Sequence, residues 1–396
     1  MANIVKKLLV VGIILLLVGL SIPSTGRIME QTSTVSSYGT TLYVGGSGEG
    51  NYTKIQDAID NASDGDTVFV YNGTYYEHLV INNSINLIGE NKEITVINGN
   101  NTGHYVDVNA DGITISGFTI QNSQYGIASS YNYTNISDNI FINNYNSISF
   151  WGNYNTISGN NFILCNGTPI EFGGSDNIIT NNTIYGSGKY IFYWWGDIFA
   201  PGGCERTTIS NNTIIDFFGE YRSGISLRQC PSDNIIVGNL ICGYEDDGII
   251  IEGGFGICLN NTISRNIIRH NEAGIILFRC HKTTVTENTI QDNNEGIGLE
   301  FCFNNHISRN NILNNEYGID IFASNLNKII QNNFINNSRN VDFSRLSIHN
   351  VWRGNYWDKP RVHPYPIIGR LRPGFLTIPW VNFDWHPAKE PYDIEV

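Results

Sequence analysis

Charged residues are scarce in this chain, since only 15% of its 396 residues are Asp, Glu, Lys or Arg. Basic residues are the rarer class, and the formal net charge of −13 argues against a general nucleic-acid-binding protein. Methionine is nearly absent: after Met1 only Met29 remains, so a methionine-rich copper site is not expected. Disorder is also disfavoured, because 41% of the residues are hydrophobic and 12% are aromatic.

Long apolar runs are absent except near the N-terminus, where Lys6 and Lys7 precede an apolar segment from Leu8 to Ile22. A basic, then apolar, then small-polar order is typical of a secretory signal, and an uncleaved membrane anchor is the alternative. We therefore expect a signal peptide or anchor over residues 1–26, a Ser/Thr-rich linker over 27–40, and an extracellular or cell-surface location. Membrane contact is expected only through this segment, if it is not cleaved.

A short pattern of four residues recurs along most of the chain. It consists of a β-branched residue, then usually Ser or Thr, then one further residue, and then Asn. The marker Asn falls at positions 139, 160, 182, 212, 239, 266, 288, 310 and 332. The intervals are 21 or 22 residues except for three long ones of 30, 27 and 27 residues. A corner residue must tolerate left-handed backbone angles, and stacked Asn amides can bond from one coil to the next. We therefore expect these Asn side chains to form a buried ladder.

A second marker follows each Asn by about eight residues and begins a short strand. Examples are Gly224-Ile225-Ser226-Leu227 and Gly248-Ile249-Ile250-Ile251. Very short strands of period two, separated by Asn and Gly corners, predict an all-β solenoid. The period of about 22 residues predicts a right-handed parallel β-helix of about twelve coils over residues 41–358.

Cysteines follow the same register. Five of them lie five or six residues before the β-branched residue of their coil: Cys204, Cys230, Cys258, Cys280 and Cys302. Thiols stacked at one corner would act as small core filler, and we expect them to be mainly reduced, with disulfides as the alternative.

Both ends of a solenoid need covers, because an open coil exposes strand edges and core. Thr53 to Gln56 reads as a capping box, and Ile55, Ala58, Ile59 and Ala62 share one helical face, which predicts a capping helix over residues 53–62. At the other end, residues 359–396 are rich in Pro and Trp and are expected to form an aromatic C-terminal plug or cap.

The segments Tyr52–Ile59, Asp64–Val68 and Asn72–Glu77 resemble the opening of pectin-lyase-like β-helix proteins. The Asn/Ile coils, ending with Gly354-Asn355-Tyr356-Trp357, resemble NosD-type proteins with PbH1 repeats, including carbohydrate-binding and sugar-hydrolase-like proteins of archaeal surfaces. The resemblance implies the fold but no single activity, because such relatives include lyases, hydrolases, uronate epimerases, adhesins and maturation factors. The Asp-Pro-His tripeptide of the epimerases does not occur here.

The long intervals indicate where a ligand site would lie, because binding residues concentrate on loops of rigid scaffolds. Tyr193, Trp194, Trp195 and Arg222 are candidate substrate-binding residues, since aromatic faces stack on sugars and Arg grips hydroxyls. Strand alternation places a further set of polar residues on one face, namely Arg228, Asp247, Glu252 and Glu300. These residues are candidates for catalysis, and the alternative is that they form surface ion pairs. No metal ligand or other cofactor is predicted, although these carboxylates could bind Ca²⁺.

Three functional hypotheses follow. The first is an exported, non-catalytic surface protein that presents loops to a polysaccharide or another cell-envelope glycan. The second is a carbohydrate-active enzyme, namely a polysaccharide lyase, glycoside hydrolase or uronate epimerase, acting on the long-coil face. The third is a NosD-like factor for metalloenzyme maturation.

Overall fold

The structure is a computed structural model that describes residues 39–100, 103–186, 196–217, 222–372 and 376–396. Three long parallel sheets run along the solenoid, and each coil contributes one strand to each sheet in turn. Among the described residues, no helix is long and apolar enough to cross a membrane.

Sheet A has 14 strands. In chain order they are Thr41–Val44, Thr67–Val70, Asn86–Gly89, Thr114–Ser116, Asn135–Ser137, Thr156–Ser158, Ile178–Thr180, Thr208–Ser210, Ile235–Val237, Thr262–Ser264, Thr284–Thr286, His306–Ser308, Lys328–Ile330 and Val351–Arg353.

Sheet B has 13 strands. They are Gly73–Tyr75, Thr95–Asn98, Thr119–Gln121, Ile140–Ile142, Asn161–Ile163, Thr183–Tyr185, Thr213–Ile215, Leu240–Cys242, Ile267–Arg269, Thr289–Gln291, Asn311–Leu313, Asn333–Ile335 and Tyr356–Trp357.

Sheet C has 12 strands. They are Leu79–Ile81, His104–Val108, Tyr125–Ser129, Asn146–Phe150, Ile170–Phe172, Gly196–Ala200, Ser223–Leu227, Asp247–Glu252, Ala273–Phe278, Glu295–Glu300, Tyr317–Phe322 and Arg339–Ser344. Three short pairs complete the fold: Gly174–Ser175 with Cys204–Glu205, Cys258–Leu259 with Cys280–His281, and an antiparallel hairpin of Tyr365–Leu371 and Ile378–Asp384.

The predicted parallel β-helix is confirmed, but it has about 14 turns where the sequence predicted about twelve. The count was low because the first coils do not carry the Asn marker. Their sheet A strands, Thr41–Val44, Thr67–Val70 and Asn86–Gly89, precede the region in which the Asn pattern begins. These strands still pair in register, for example Val68 with Leu87, and both side chains are buried.

The predicted Asn ladder is present and buried. Asn139, Asn160, Asn182, Asn212, Asn239, Asn266, Asn288, Asn310, Asn332 and Asn355 are each at most 1% exposed. From Asn139 to Asn332, each backbone N–H and each side-chain Nδ2 donates to the Oδ1 atom of the next Asn, at 2.9–3.2 Å. The ladder satisfies polar groups that would otherwise be unpaired in the core.

Contrary to the prediction, the ladder Asn residues do not themselves adopt left-handed backbone angles. The left-handed residue is the one before each Asn, for example Asp138, Arg265, Glu287 and Arg309, with φ between 53° and 55° in three cases and 57° at Glu287. Asn is therefore selected by its amide bonds between coils and not by its backbone freedom.

The helix near the N-terminus, α1, spans Ile55–Asp60 and is shorter than the predicted 53–62. The predicted capping box does not form. The Glu77 carboxylate instead accepts hydrogen bonds from the backbone N–H groups of Ile55 and Gln56, at 2.9 and 3.1 Å. The Gln56 side chain bonds both the N–H and the carbonyl of Val80, at 2.9 and 3.1 Å. It thereby satisfies backbone groups of the first strand of sheet C.

The C-terminal segment contacts the last coil through its hairpin. The Asp384 carboxylate ends the Asn ladder by accepting from Asn355 N and Nδ2, at 2.9 and 3.1 Å, and from Trp357 Nε1 at 3.1 Å. The ring of Tyr365 stacks on buried Trp357 with centroids 4.2 Å apart. Trp380 and Trp385, which the aromatic-plug prediction relied on, are instead exposed.

The cysteine column contains four thiols and not five. Cys204, Cys258, Cys280 and Cys302 are buried, and Ser324 continues their column. In the coil of Cys230, the Asn261 side chain donates to the carbonyl of Pro231, whereas the equivalent Asn305 and Asn327 side chains donate to the carbonyls of Cys280 and Cys302. Pro231 therefore takes the column position, and Cys230 is displaced by one residue. Cys230 is partly exposed, and its thiol donates to the Gly253 carbonyl at 3.0 Å. All seven cysteines are free thiols, in agreement with a reduced column.

Candidate functional site

The outward face of sheet C carries the candidate site. Successive strands pair in exact register there, so their outward residues form columns along the solenoid axis. The three columns are Asp247, Ala273, Glu295, Tyr317 and Arg339; Ile250, Ile276, Gly298, Asp320 and Asp342; and Glu252, Phe278, Glu300, Phe322 and Ser344. In the third column, carboxylates and aromatic rings therefore alternate over four coils, from Glu252 to Phe322.

Four predicted residues lie on this face. Asp247 heads the first column, and Glu252 and Glu300 belong to the third. Arg228 follows the strand Ser223–Leu227 and forms an ion pair with Glu252, which is the ion-pair alternative considered above. Arg228 Nε also donates to Ser226 Oγ at 3.0 Å. Arg228 is only 8% exposed, and burial lowers the pKa of its guanidinium.

At one end of the face lies a cavity of about 500 Å³, which we call the Arg–Phe cavity. It is lined by Arg228, Gln229, Glu252, Gly254, Phe255, Phe278 and Arg279. The guanidinium of Arg279 lies 5.4 Å from the ring centroid of Phe278 and donates to the Gly254 carbonyl at 2.8 Å. The cavity thus joins aromatic faces to fixed charged groups, a composition common in ligand pockets.

A glycine turn inside one of the long coils builds the wall of this cavity. Gly256 N–H donates to the Gly253 carbonyl at 2.8 Å, and Gly254 has a left-handed φ of 56°. A Cβ on Gly256 would lie 2.2 Å from the Cys230 sulfur, so no other residue fits without a shift. The turn holds Phe255 away from the body with its side chain fully exposed, at 100%. The long interval in the repeat therefore produces the projecting aromatic.

Aromatic rings continue from the cavity along the axis as a phenylalanine strip of Phe278, Phe301 and Phe322. Successive rings are packed edge to face, with centroids 5.7 and 5.5 Å apart. The guanidinium of Arg345 lies 5.1 Å from the Phe322 centroid at the far end. The strip gives the Arg–Phe cavity an extension across the neighbouring coils.

At the opposite ends of the same strands lies a second cavity, of about 300 Å³, which we call the acidic cavity. Its lining includes Glu272, Glu295, Tyr317, Asp320 and Asp342. A Cβ on Gly298 would lie 2.5 Å from Glu295 Oε1, so this glycine leaves the room that the Glu295 carboxyl occupies. Asp342 pairs with Arg339 at 2.7 Å, whereas Asp320 Oδ1 is buried without a hydrogen-bond partner.

Crowding of these carboxyl groups changes their protonation. Burial raises the pKa of Glu295 to about 8, and the nearby Asp320, Glu300 and Glu272 add to the shift. Burial and Asp342 raise the pKa of Asp320 to about 6. Burial, followed by the charge of Asp246, also raises the pKa of Asp247 well above its usual range. At neutral pH the Glu295 carboxyl is therefore mainly protonated and can donate a hydrogen bond, whereas Asp320 is mainly ionised.

Glu295 and Asp320 were not among the predicted site residues. Strand alternation applied to Gly318-Ile319-Asp320 would have placed Asp320 outward, one coil from Gly298. The burial of Glu295 could not be read from the sequence, because it depends on Gly298 three residues later and on the neighbouring coils.

Arg222 was a predicted substrate-binding residue, but the structure places it in a buried network. Its guanidinium pairs with Asp197 at 3.0 Å and donates twice to the Gly167 carbonyl at 3.1 Å. Tyr244, also buried, donates to the other oxygen of Asp197 at 2.6 Å. Arg222 therefore does not belong to the candidate site and instead stabilises the long coils.

Tyr193, Trp194 and Trp195, the other predicted substrate-binding residues, lie outside the described residues. Within the described ranges, no group of three or more His, Cys, Asp and Glu residues is arranged to hold a metal ion.

Comparisons with known proteins agree with this architecture. A family model described as periplasmic copper-binding protein (NosD) matches residues 196–362, and one described as right-handed β-helix region matches residues 104–254. A cell surface glycoprotein of Methanothermus fervidus is 29% identical over an alignment of 247 residues, and the match covers 56% of this chain. The match covers only 38% of that relative's length.

Solved structures with the same fold have low sequence identity. An alginate lyase in complex with a trisaccharide gives a TM-score of 0.61 at 15% identity, covering 92% of this chain and 95% of that chain. The A-module of a mannuronan C-5 epimerase of Azotobacter vinelandii gives 0.57 at 15% identity, covering 75% and 94%. These likenesses concern the fold alone. The stacked sheets and the two family matches together show a right-handed parallel β-helix that is similar to the pectin-lyase-like β-helix proteins.

Proposed function

We propose that this protein is displayed at the cell surface and binds a glycan in the Arg–Phe cavity. The observation that carries the proposal is the combination of an exposed ring, Phe255, and a second ring, Phe278, with Arg228, Glu252 and Arg279 in one cavity of about 500 Å³. The surface location is supported by the similarity to a cell surface glycoprotein. Export by the N-terminal segment is part of the proposal.

Sugar rings present an apolar face of C–H groups and a rim of hydroxyls. Phe255 and Phe278 offer rings for the apolar face, while the Arg and Glu side chains can bond hydroxyls. The phenylalanine strip extends the aromatic surface by two further coils, which suits a chain of several sugars.

Charge in the cavity favours a neutral or mildly acidic glycan. Two guanidinium groups, those of Arg228 and Arg279, face the single carboxylate of Glu252. The chain as a whole has a net charge of −13, which opposes the approach of a strongly anionic polymer.

A glycan array followed by calorimetry on the best ligand tests this proposal. We expect Phe278→Ala and Phe255→Ala each to weaken binding by about tenfold, because each removes one stacking face. Trp151→Ala is the control, since Trp151 is also an exposed aromatic but does not line the Arg–Phe cavity. Binding that is retained in both Phe variants and lost in the control would refute the location.

An enzymatic function is the second candidate, and the acidic cavity is the observation that favours it. A carboxyl group with a pKa of about 8 can act as a general acid at neutral pH, and the neighbouring Asp320 can act as the base. Glu295→Gln should then abolish release of product from a polysaccharide while leaving binding in the Arg–Phe cavity unchanged. Product formation that persists in Glu295→Gln would exclude this assignment.

A further inference from the structure

The C-terminal hairpin has an inner face that packs on the last coil and an outer face that packs on nothing described. On the inner face Ile367 is buried, and Gly369 lies so close to Phe343 that a Cβ would come within 2.4 Å of its ring. On the outer face Ile368 pairs with Val381, and Pro366 pairs with Phe383. The hairpin is therefore anchored on one side only.

Apolar exposure is unusually high on this hairpin. Ile368 is 59% exposed, and Val381 and Phe383 beside it are also exposed. Near the end of the hairpin the inner face is exposed as well, since Ile378 and Trp380 are 43% and 44% exposed. Trp385, which follows the second strand, is 63% exposed. Apolar side chains thus project from both faces, and a flat protein surface would cover only one of them.

Charge distinguishes this segment from the rest of the chain. Residues 359–385 contain four basic residues, Lys359, Arg361, Arg370 and Arg372, and one acidic residue, Asp384. Asp384 is fully buried in the ladder contact, so its charge does not face outward. Arg370 and Arg372 are exposed beside the apolar residues. A locally cationic surface on a chain of net charge −13 fits an anionic partner.

We propose that this hairpin docks into the headgroup region of an anionic lipid bilayer. Exposed Trp, Ile, Val and Phe side chains would enter the boundary of the acyl chains, where Trp is favoured, and Arg370 and Arg372 would contact lipid phosphates. The sequence analysis expected membrane contact only through the N-terminal segment, so this is a second and independent contact. It does not depend on the glycan proposal.

The backbone restricts how deeply the hairpin can enter. A two-stranded hairpin leaves unpaired N–H and carbonyl groups along both outer edges, and these are costly in hydrocarbon. Each strand has seven residues, about 23 Å in length, but Tyr365, Ile367 and Gly369 of the first strand pack on the last coil. The hairpin therefore lies in the interface and does not span the bilayer.

Tryptophan quenching by vesicles with brominated acyl chains tests this docking in the full chain. Residues 1–37 contain no Trp, so insertion of the N-terminal segment gives no signal of its own. We expect quenching with phosphatidylglycerol vesicles and much less with phosphatidylcholine vesicles. Trp380→Phe combined with Trp385→Phe should remove the quenching but keep the protein on the vesicles.

Two further variants separate the apolar and the electrostatic contributions. Ile368→Ser with Val381→Ser should reduce quenching at least tenfold, since both side chains leave the acyl boundary. Arg370→Gln with Arg372→Gln should weaken binding to anionic vesicles by about fivefold or more for each charge removed. Trp151→Ala is the control and should leave the quenching of Trp380 and Trp385 unchanged.

Three results would overturn the proposal. Quenching that is unaffected by the Trp380/Trp385 pair of changes would show that the hairpin stays out of the lipid. Equal quenching in wild type and in the Ile368/Val381 variant would remove the apolar contact. Concentration-dependent dimerisation without lipid, abolished by the Ile368/Val381 variant, would assign the surface to a second copy of the chain.

Discussion

Replacement of Asn288 by Leu tests the ladder that holds the coils in register. The Asn288 Oδ1 atom accepts from Asn266 N at 3.0 Å and from Asn266 Nδ2 at 2.9 Å. Its Nδ2 donates to the carbonyl of Ile263 at 2.9 Å, to that of Thr286 at 3.1 Å and to Asn310 Oδ1 at 2.9 Å. Leucine has nearly the same shape and can make none of these bonds.

The expected cost follows from the groups left without partners. Asn266 Nδ2 keeps bonds to the carbonyls of Ile236 and Ser264, both at 3.0 Å. The Asn266 backbone N–H loses its bond to Asn288 inside the core, whereas the Ile263 carbonyl belongs to the paired strand Thr262–Ser264 and keeps its sheet pairing. A buried unsatisfied group costs about 1–3 kcal/mol, so Asn288→Leu should lower the free energy of unfolding by about that amount.

Urea unfolding followed by circular dichroism measures this cost, and Asn294→Leu is the matched control. Asn294 is exposed, six residues later in the same coil, and its Nδ2 donates to Glu272 Oε1 at 2.7 Å. The control should change the free energy of unfolding by about 0.5 kcal/mol or less. If Asn288→Leu and Asn294→Leu had equal unfolding midpoints, the ladder would not stabilise the solenoid and the reasoning would be refuted.

Two other predictions concern titratable groups. The four column cysteines are buried, and burial raises the pKa of the Cys204 and Cys280 thiols. The column cysteines should therefore resist alkylation until the protein unfolds, whereas partly exposed Cys230 should react in the native state. Uniform labelling of all the thiols, measured by peptide mass, would contradict the column. The pKa of Glu295 rises from 4.5 to about 8 on folding, so the native state binds more protons and its stability should fall as the pH rises from about 4.5 through 8. Thermal unfolding at a series of pH values should show a shallower fall for Glu295→Gln than for wild type, and parallel curves would count against a buried Glu295.

The coils could be predicted because the same residue type recurs at the same place in each turn. Ile157, for example, pairs with Ile136 on one side and Ile179 on the other, as the repeat implies. The Asn ladder follows from the same repetition, since each amide needs an identical amide one coil away. Repetition also explains why Cys230 was wrongly assigned to the cysteine column. The spacing in this coil is shifted by one residue, so Pro231 occupies the column position.

The candidate site was predictable only in part. Alternation along the strand placed Arg228, Glu252 and Glu300 on one face, and the long intervals indicated the turn that carries Phe255. The role of Arg222 could not be predicted, because its partners Gly167 and Asp197 belong to two earlier coils, joined by irregular connections. The high pKa of Glu295 likewise depends on three carboxyl groups that come together only when the coils stack.

A crystal structure with the best-bound oligosaccharide tests the central proposal most directly. We expect one sugar ring to lie against Phe278, between Arg228 and Arg279, with the chain continuing toward Phe301 along the phenylalanine strip. Crystals of Phe278→Ala, grown at a ligand concentration near the wild-type dissociation constant, should show a clearly lower occupancy of the site. A sugar bound on the coils before Tyr185 or on the C-terminal hairpin, with the Arg–Phe cavity empty in wild type, would contradict the account.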